Sequence, residues 1–137
     1  IVLGLVAGLI GGFLVGTHYN ARDPKPTRQS AQTQSEVSIM FDFGDGHIKV
    51  LPHVIVQKDQ TMFSLIEQTA QKEKLAFDFK DYKDLGRLVT QIGDKKNGDN
   101  GKYWQFWVNG NYSVVGVSSY VPKVGDIIKW KFTDEQQ

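Results

Sequence analysis

Residues 103–132 read YWQFWVNGNYSVVGVSSYVPKVGDIIKWKF. Tyr103 to Val108 is aromatic and extended. Asn109-Gly110 follows, and both residue types accept the positive φ that a type I′ hairpin turn requires. Asn111 to Val117 is then the returning strand, ended near Gly116. Val124-Gly125-Asp126 forms another turn. Beyond it Ile128, Trp130 and Phe132 alternate with Lys129, Lys131 and Thr133, which predicts a last strand with one buried face and its lysines in solvent.

Working toward the N-terminus, the same alternation recurs. Val37, Ile39, Phe41 and Phe43 are separated by Ser38, Met40 and Asp42, a half-buried strand, and Gly44-Asp45-Gly46 supplies a turn. A second strand starts at His47 with Ile48 and Val50 on one face. Pro52 interrupts it, which predicts a bulge or an edge position, and Val54 and Val56 resume the pattern. Period then changes from two to 3.6. Asp59 and Thr61 are both suitable N-caps, and Met62, Leu65, Ile66, Thr69 and Ala70, with Phe63 beside them, form the inner face of a helix. Phe77 and Phe79 predict a short strand, 88–92 another, and 93–101 (GDKKNGDNG) a polar loop. Several mostly antiparallel strands and one early helix make an α+β head, a curved sheet gripping a helix.

The remaining residues divide into two parts. Residues 1–16, IVLGLVAGLIGGFLVG, contain no charged or polar side chain. As a helix they would reach about 24 Å, a little short of a ~30 Å hydrocarbon core. A transmembrane anchor is the expectation, with the apolar region of a cleaved signal as the other reading and a secreted head as its consequence. Gly4, Gly8, Gly12 and Gly16 recur every fourth residue, a small-residue stripe along which two such helices can approach closely and self-associate. Residues 17–35 hold Pro24 and Pro26 and no Val, Ile, Leu, Met or Phe, so they read as a disordered linker spanning roughly 25 Å. Arg22, Lys25 and Arg28 on this flank favour a cytoplasmic side, against an external head. The domain boundaries are therefore 1–16, 17–35 and 36–137.

Composition narrows the chemistry. Sixteen Lys and Arg balance fifteen Asp and Glu across the 137 residues, a net charge of +1, which argues against nucleic-acid binding. With no cysteine there is no disulfide, thiolate metal site or thiol nucleophile. His18, His47 and His53 are too scattered for a metal motif, and no GxSxG elbow is present. The aspartates of GDG and GDKKNGDNG read as turn residues rather than a calcium loop. An enzyme is therefore not expected, and no metal or cofactor.

Aromatic residues remain. Tyr103 and Trp107 project to one face of their strand, Trp104 and Phe106 to the other. Either the second face is shielded by 93–101 or 75–86, or it is a partly exposed aromatic platform for a ligand.

Tyr103-Trp104-Gln105-Phe106, the Asn109-Gly110 turn, Gly116, Ser119-Tyr120-Val121, Gly125-Asp126 and Ile128-Lys129-Trp130 resemble the C-terminal β domain of the transcobalamin and intrinsic-factor family, and the related bacterial surface domain of unknown function. Gln60 to Leu65 looks like that domain's helix start. The resemblance implies a ubiquitin-like β-grasp head, extracytoplasmic at the cell surface and non-enzymatic. In the vitamin B12 carriers this domain closes over the corrinoid opposite a large helical domain, and no such domain is expected within residues 1–137. By carry-over, a ligand patch would involve Trp104, Phe106, Asn109, Tyr112 and Val114. Its ligand would be a corrinoid such as cobalamin, a glycan or a protein surface. The alternative reading is a scaffold protein that self-associates through its glycine-striped membrane helix.

Overall fold

A computed structural model describes residues 34–136. The apolar segment, its four glycines and most of the linker lie outside the described residues. Among the described residues no helix is long and apolar enough to cross a membrane. The order is β1 (Ser35–Asp42), β2 (Ile48–Val56), α1 (Met62–Lys72), β3 (Phe77–Tyr82), β4 (Gly86–Ile92), β5 (Lys95–Lys96), a 3-10 turn (Asp99–Gly101), β6 (Tyr103–Val108), β7 (Asn111–Tyr112) and β8 (Ile127–Thr133). This is a small, β-rich domain with one short helix.

The strands form two sheets rather than the single curved sheet expected. One has the order β2-β1-β8-β6-β7 and the other β3-β4-β5. All neighbours are antiparallel except β1 and β8, which pair in parallel with Phe41 beside Trp130. The alternation read in β1 and β8 is realised: Val37, Ile39 and Phe41 face Ile128, Trp130 and Phe132 in one core. Pro52 sits in an edge strand and beside a bulge, where two residues of β2 oppose Ser38.

Helix α1 buries Met62, Phe63, Leu65, Ile66, Thr69 and Ala70, the inner face that the 3.6 period marks. Thr61, not Asp59, is its N-cap and accepts from Ser64 N at 3.3 Å. The first two helical N–H groups are satisfied from far away: Met62 donates to Tyr120 O at 2.7 Å and Phe63 to Val117 O at 2.9 Å. Those two bonds explain why the returning strand stops at Tyr112 instead of reaching Val117. Segment 116–120 is recruited to cap the helix, and Ser113 Oγ bends the chain by donating to Val115 O at 2.9 Å.

Ile48 and Val50 share one face of β2 as read, and that face of the edge strand is exposed. One further expectation is corrected. The lysines of β8 are only partly in solvent. Lys129 Nζ lies 4.6 Å from the Trp107 ring centre, and Lys131 Nζ pairs with Glu135 at 2.6 Å.

Candidate functional site

Strands β4 and β6 lie side by side without pairing. At one end Asn97 bridges them: its Nδ2 donates to Val89 O at 3.0 Å and its Oδ1 accepts from Trp104 N at 2.8 Å. Toward the other end of β4, Arg87 N donates to Ser118 Oγ at 2.9 Å. A cleft of about 220 Å³ opens beside these two contacts. Its walls are Arg87 to Val89 of β4, Trp104 to Phe106 of β6 and the stretch Tyr112 to Val117, with Trp130 of β8 also lining it.

Four of the five residues expected in a ligand patch, Trp104, Phe106, Tyr112 and Val114, line this cleft; Asn109 does not. Their exposures differ from an aromatic platform. Trp104 is 4 % exposed and Phe106 7 %, while Val114 is 92 % exposed. Trp104 is fixed by its Nε1–H, which donates to Lys95 O at 3.0 Å, so the 93–101 loop covers it as one of the two readings held. Phe106 stacks on Trp130 with centroids 5.0 Å apart. Both rings belong to the core and present only a margin to the cleft. On the opposite face of β6 Trp107 is covered, lying against the Tyr112 ring at 5.5 Å and beneath Lys129, while Tyr103 stays exposed.

The exposed apolar surface comes instead from Val114, Val115 and Leu88, with Tyr112 beside them. Val115 lies in the hairpin 109–117 that the resemblance implies for the patch, whereas Leu88, Arg87 and Trp130 are not legible as site residues. Leu88 and Trp130 read as ordinary strand positions, and nothing local brings β4 against 112–117. Arg87 lies over Phe63, with its guanidinium carbon 4.5 Å from the ring centre, and its Nε contacts Asp81 Oδ2 at 3.3 Å. The indole N–H of Trp130 is enclosed and without an acceptor, the one such group among the described residues.

Asn109 serves another purpose. It adopts φ 51° in the hairpin turn, donates to Asp126 Oδ1 and accepts from Ile127 N, both at 2.9 Å. Asp126 Oδ2 accepts from Tyr120 Oη and Lys123 N, also at 2.9 Å. Burial, reinforced by the Asp126 carboxylate, pushes the Tyr120 phenol up to about 12. This node ties the hairpin turn to the segment that follows the cleft wall.

The histidines carry no such arrangement. His47 stacks on Phe43 at 4.9 Å and His53 contacts Glu36 at 3.2 Å. Among the described residues no group of three or more His, Asp or Glu is placed to hold a metal ion. The aspartates of the two polar turns approach one another, but Lys95 Nζ sits among them, 2.7 Å from Asp45 and 3.3 Å from Asp94. It holds the Asp45 carboxyl below the usual carboxylate range, chiefly through their hydrogen bond.

Among solved structures, haptocorrin in complex with Cbi superposes with a TM-score of 0.61 at 19 % identity, over 73 % of this chain and 25 % of that one. The chain thus spans about a quarter of haptocorrin's length. A Ruminococcus gnavus ATCC 29149 protein to which metal binding has been ascribed superposes with a TM-score of 0.57 at 13 % identity, over 75 % of this chain and all of that one. The haptocorrin fold agrees with the transcobalamin resemblance read from residues 103–130. Among curated proteins none matches the sequence. Residues 59–134, more than half of the chain and all of the cleft, match the family described as domain of unknown function DUF4430, and the chain belongs to that family.

Proposed function

We propose that the domain is a non-catalytic binding module whose site is the cleft between β4, β6 and residues 112–117. One observation carries this reading: exposed Val114, Val115 and Leu88, with Tyr112 beside them, ring a cleft floored by core aromatic residues. An apolar rim of this kind suits a ligand that presents a mostly apolar edge.

Size limits what enters. A cleft of 220 Å³ is below the usual range of about 300–1,000 Å³ for pockets that enclose a small molecule. It takes an edge or side arm of a larger ligand. Covering the four exposed apolar side chains, Leu88, Tyr112, Val114 and Val115, is worth about 1 kcal/mol each, about 4 kcal/mol in all before the cost of association. Weak affinity follows from this face taken alone. A corrinoid with its amide side arms satisfies these conditions, and the fold of haptocorrin favours it over a glycan or a protein surface.

The same proposal includes a β-grasp architecture, supported by the order β2-β1-β8-β6-β7, the parallel first and last strands and the helix following β2. It also includes an extracytoplasmic head tethered by residues 1–16, supported by their apolar composition and the family resemblance. Pairing of those anchors through Gly4, Gly8, Gly12 and Gly16 is a separate scaffold role. Protease treatment of intact cells tests the topology, since an external head is removed before lysis.

The binding test is a titration of the full chain in detergent with cobinamide, following tryptophan fluorescence with an inner-filter control. Saturable quenching, weakened about tenfold by Val114→Asp at the exposed rim, is expected from an apolar contact replaced by a charge. Absence of saturation at roughly millimolar cobinamide, a Kd weaker than about −4 kcal/mol of binding, removes the corrinoid.

A further inference from the structure

We propose that the groove between the free edge of β2 and helix α1 is a second binding site, which takes an extended peptide with an apolar centre and an acidic flank as an added strand. β2 stands last in its sheet, so its outer backbone edge has no strand partner among the described residues. Such an edge is a template for another strand unless it is blunted. Here the blunting is local. Pro52 and the bulge interrupt the strand, but Val54, Ile55 and Val56 pair regularly with β1 beyond it.

Alongside that stretch α1 presents Leu65, Gln68, Thr69 and Lys72, spaced i, i+3, i+4 and i+7 on one face. Strand and helix together enclose about 300 Å³, a groove that shares no residue with the cleft between β4 and β6. Ile55, 52 % exposed, forms part of its wall. The polar floor is already satisfied. Thr69 Oγ1 donates to Leu65 O at 2.6 Å, and Gln68 Oε1 accepts from Gln60 Nε2 at 2.8 Å. Specificity must therefore come from the strand edge and from charge.

The charges point one way. Glu73 is held by Lys49 at 2.8 Å, and Glu36 by His53 at 3.2 Å. Of the ionisable residues that line the groove, His53, Lys72 and Glu73, only Lys72, in the last turn of α1, has no oppositely charged partner among the described residues. An acidic flank answers this ammonium group. A second copy of the chain would bring its own Lys72 to the same edge, so like charges oppose β2 pairing with itself.

The test uses the full chain in detergent, labelled with nitrogen-15, and two capped peptides, EVIVIDDE and KVIVIKKK. With the acidic peptide, saturable amide shifts are expected at Val54, Ile55, Leu65 and Lys72. Affinity should fall about tenfold for the basic peptide, and similarly for Lys72→Glu and for Ile55→Glu, both at exposed positions. No saturable shifts, equal affinity for the two peptides, or indifference to Lys72→Glu would each overturn the assignment. Concentration-dependent shifts of β2 without peptide would overturn it in favour of a second copy.

Discussion

Replacing Asp126 by alanine removes one carboxylate that holds three separate pieces of chain. Asp126 is 6 % exposed, and its two oxygens accept from Asn109 Nδ2, Tyr120 Oη and Lys123 N, each at 2.9 Å. A hydrogen bond to a charged group contributes about 1.5–3 kcal/mol, and the partners here are only part-buried, so water replaces some of the loss. A net cost of about 3 kcal/mol is expected for Asp126→Ala, against total stabilities of about 5–15 kcal/mol. Asp126→Asn retains one carbonyl acceptor and should lose about 2 kcal/mol, and Tyr120→Phe, which removes a single bond, about 1 kcal/mol. For a domain of this size 3 kcal/mol lowers Tm by about 12–20 °C. Urea unfolding of the full chain, followed by tryptophan fluorescence and circular dichroism, gives the three values on one scale. A loss below about 0.5 kcal/mol for Asp126→Ala, or an order in which Tyr120→Phe is the most damaging, would refute the reasoning.

Gly44 has φ 70° and an added Cβ would collide with the Phe132 carbonyl oxygen, whereas Gly46 at φ 91° faces open space. Gly44→Ala should therefore cost about 3 kcal/mol and Gly46→Ala about 1 kcal/mol in the same unfolding assay; equal costs would mean that backbone strain alone decides both. Lys95 lowers the Asp45 carboxyl, so that pair stabilises the fold above the ordinary carboxylate pKa and its contribution is lost as pH falls through the lower folded value. Unfolding midpoints of wild type and Asp45→Asn should converge as the pH drops below about 4, and curves that stay parallel would remove the coupling. Tyr120, raised to about 12, favours the fold in its neutral form, a contribution complete below about pH 10 and lost as pH rises through about 12. Ultraviolet titration should show one of the five tyrosines ionising late, and that lag should shrink but persist in Asp126→Ala, because burial is its larger cause.

What could be read in advance was whatever depends on neighbours along the chain. The buried face of α1 is complete in the spacing of Met62, Leu65, Ile66, Thr69 and Ala70, because a helix sorts its residues by local geometry alone. Alternation likewise identifies the faces of β1 and β8. It does not say which face acquires a covering layer. Ile48 and Val50 alternate as Val37 and Ile39 do, yet they are left in solvent at the sheet edge. Trp104 and Phe106 were separable from Trp107 by parity, but their burial depends on Lys95 and Trp130, nine and twenty-four or more positions distant in sequence. The candidate site divides in the same way. Tyr112 and Val114 follow from the hairpin, whereas Arg87, Leu88 and Trp130 join them only through contacts between the two sheets.

The junction of those sheets is where structure and proposed function meet. Beyond the short pairing of β4 with β5 at Gln91 and Ile92, and of β6 with β7 at Trp107 and Val108, each strand lacks a ladder partner on one side, and a ladder between them there would satisfy those backbone groups. Instead the Asn97 amide serves Val89 O and Trp104 N, and the Ser118 hydroxyl accepts from Arg87 N. Side chains that need exact placement thus do what backbone groups could do unaided. The effect is to keep the strands apart along Leu88 and Gln105, with Val114 and Val115 exposed above the opening. Such an arrangement forgoes ladder bonds and leaves apolar side chains in water, both unfavourable for the isolated domain. A ligand that covers Leu88, Val114 and Val115 recovers part of that loss. On the proposed reading, the opening between β4 and β6 is a site maintained by Asn97 and Ser118 rather than a flaw in the packing of two sheets.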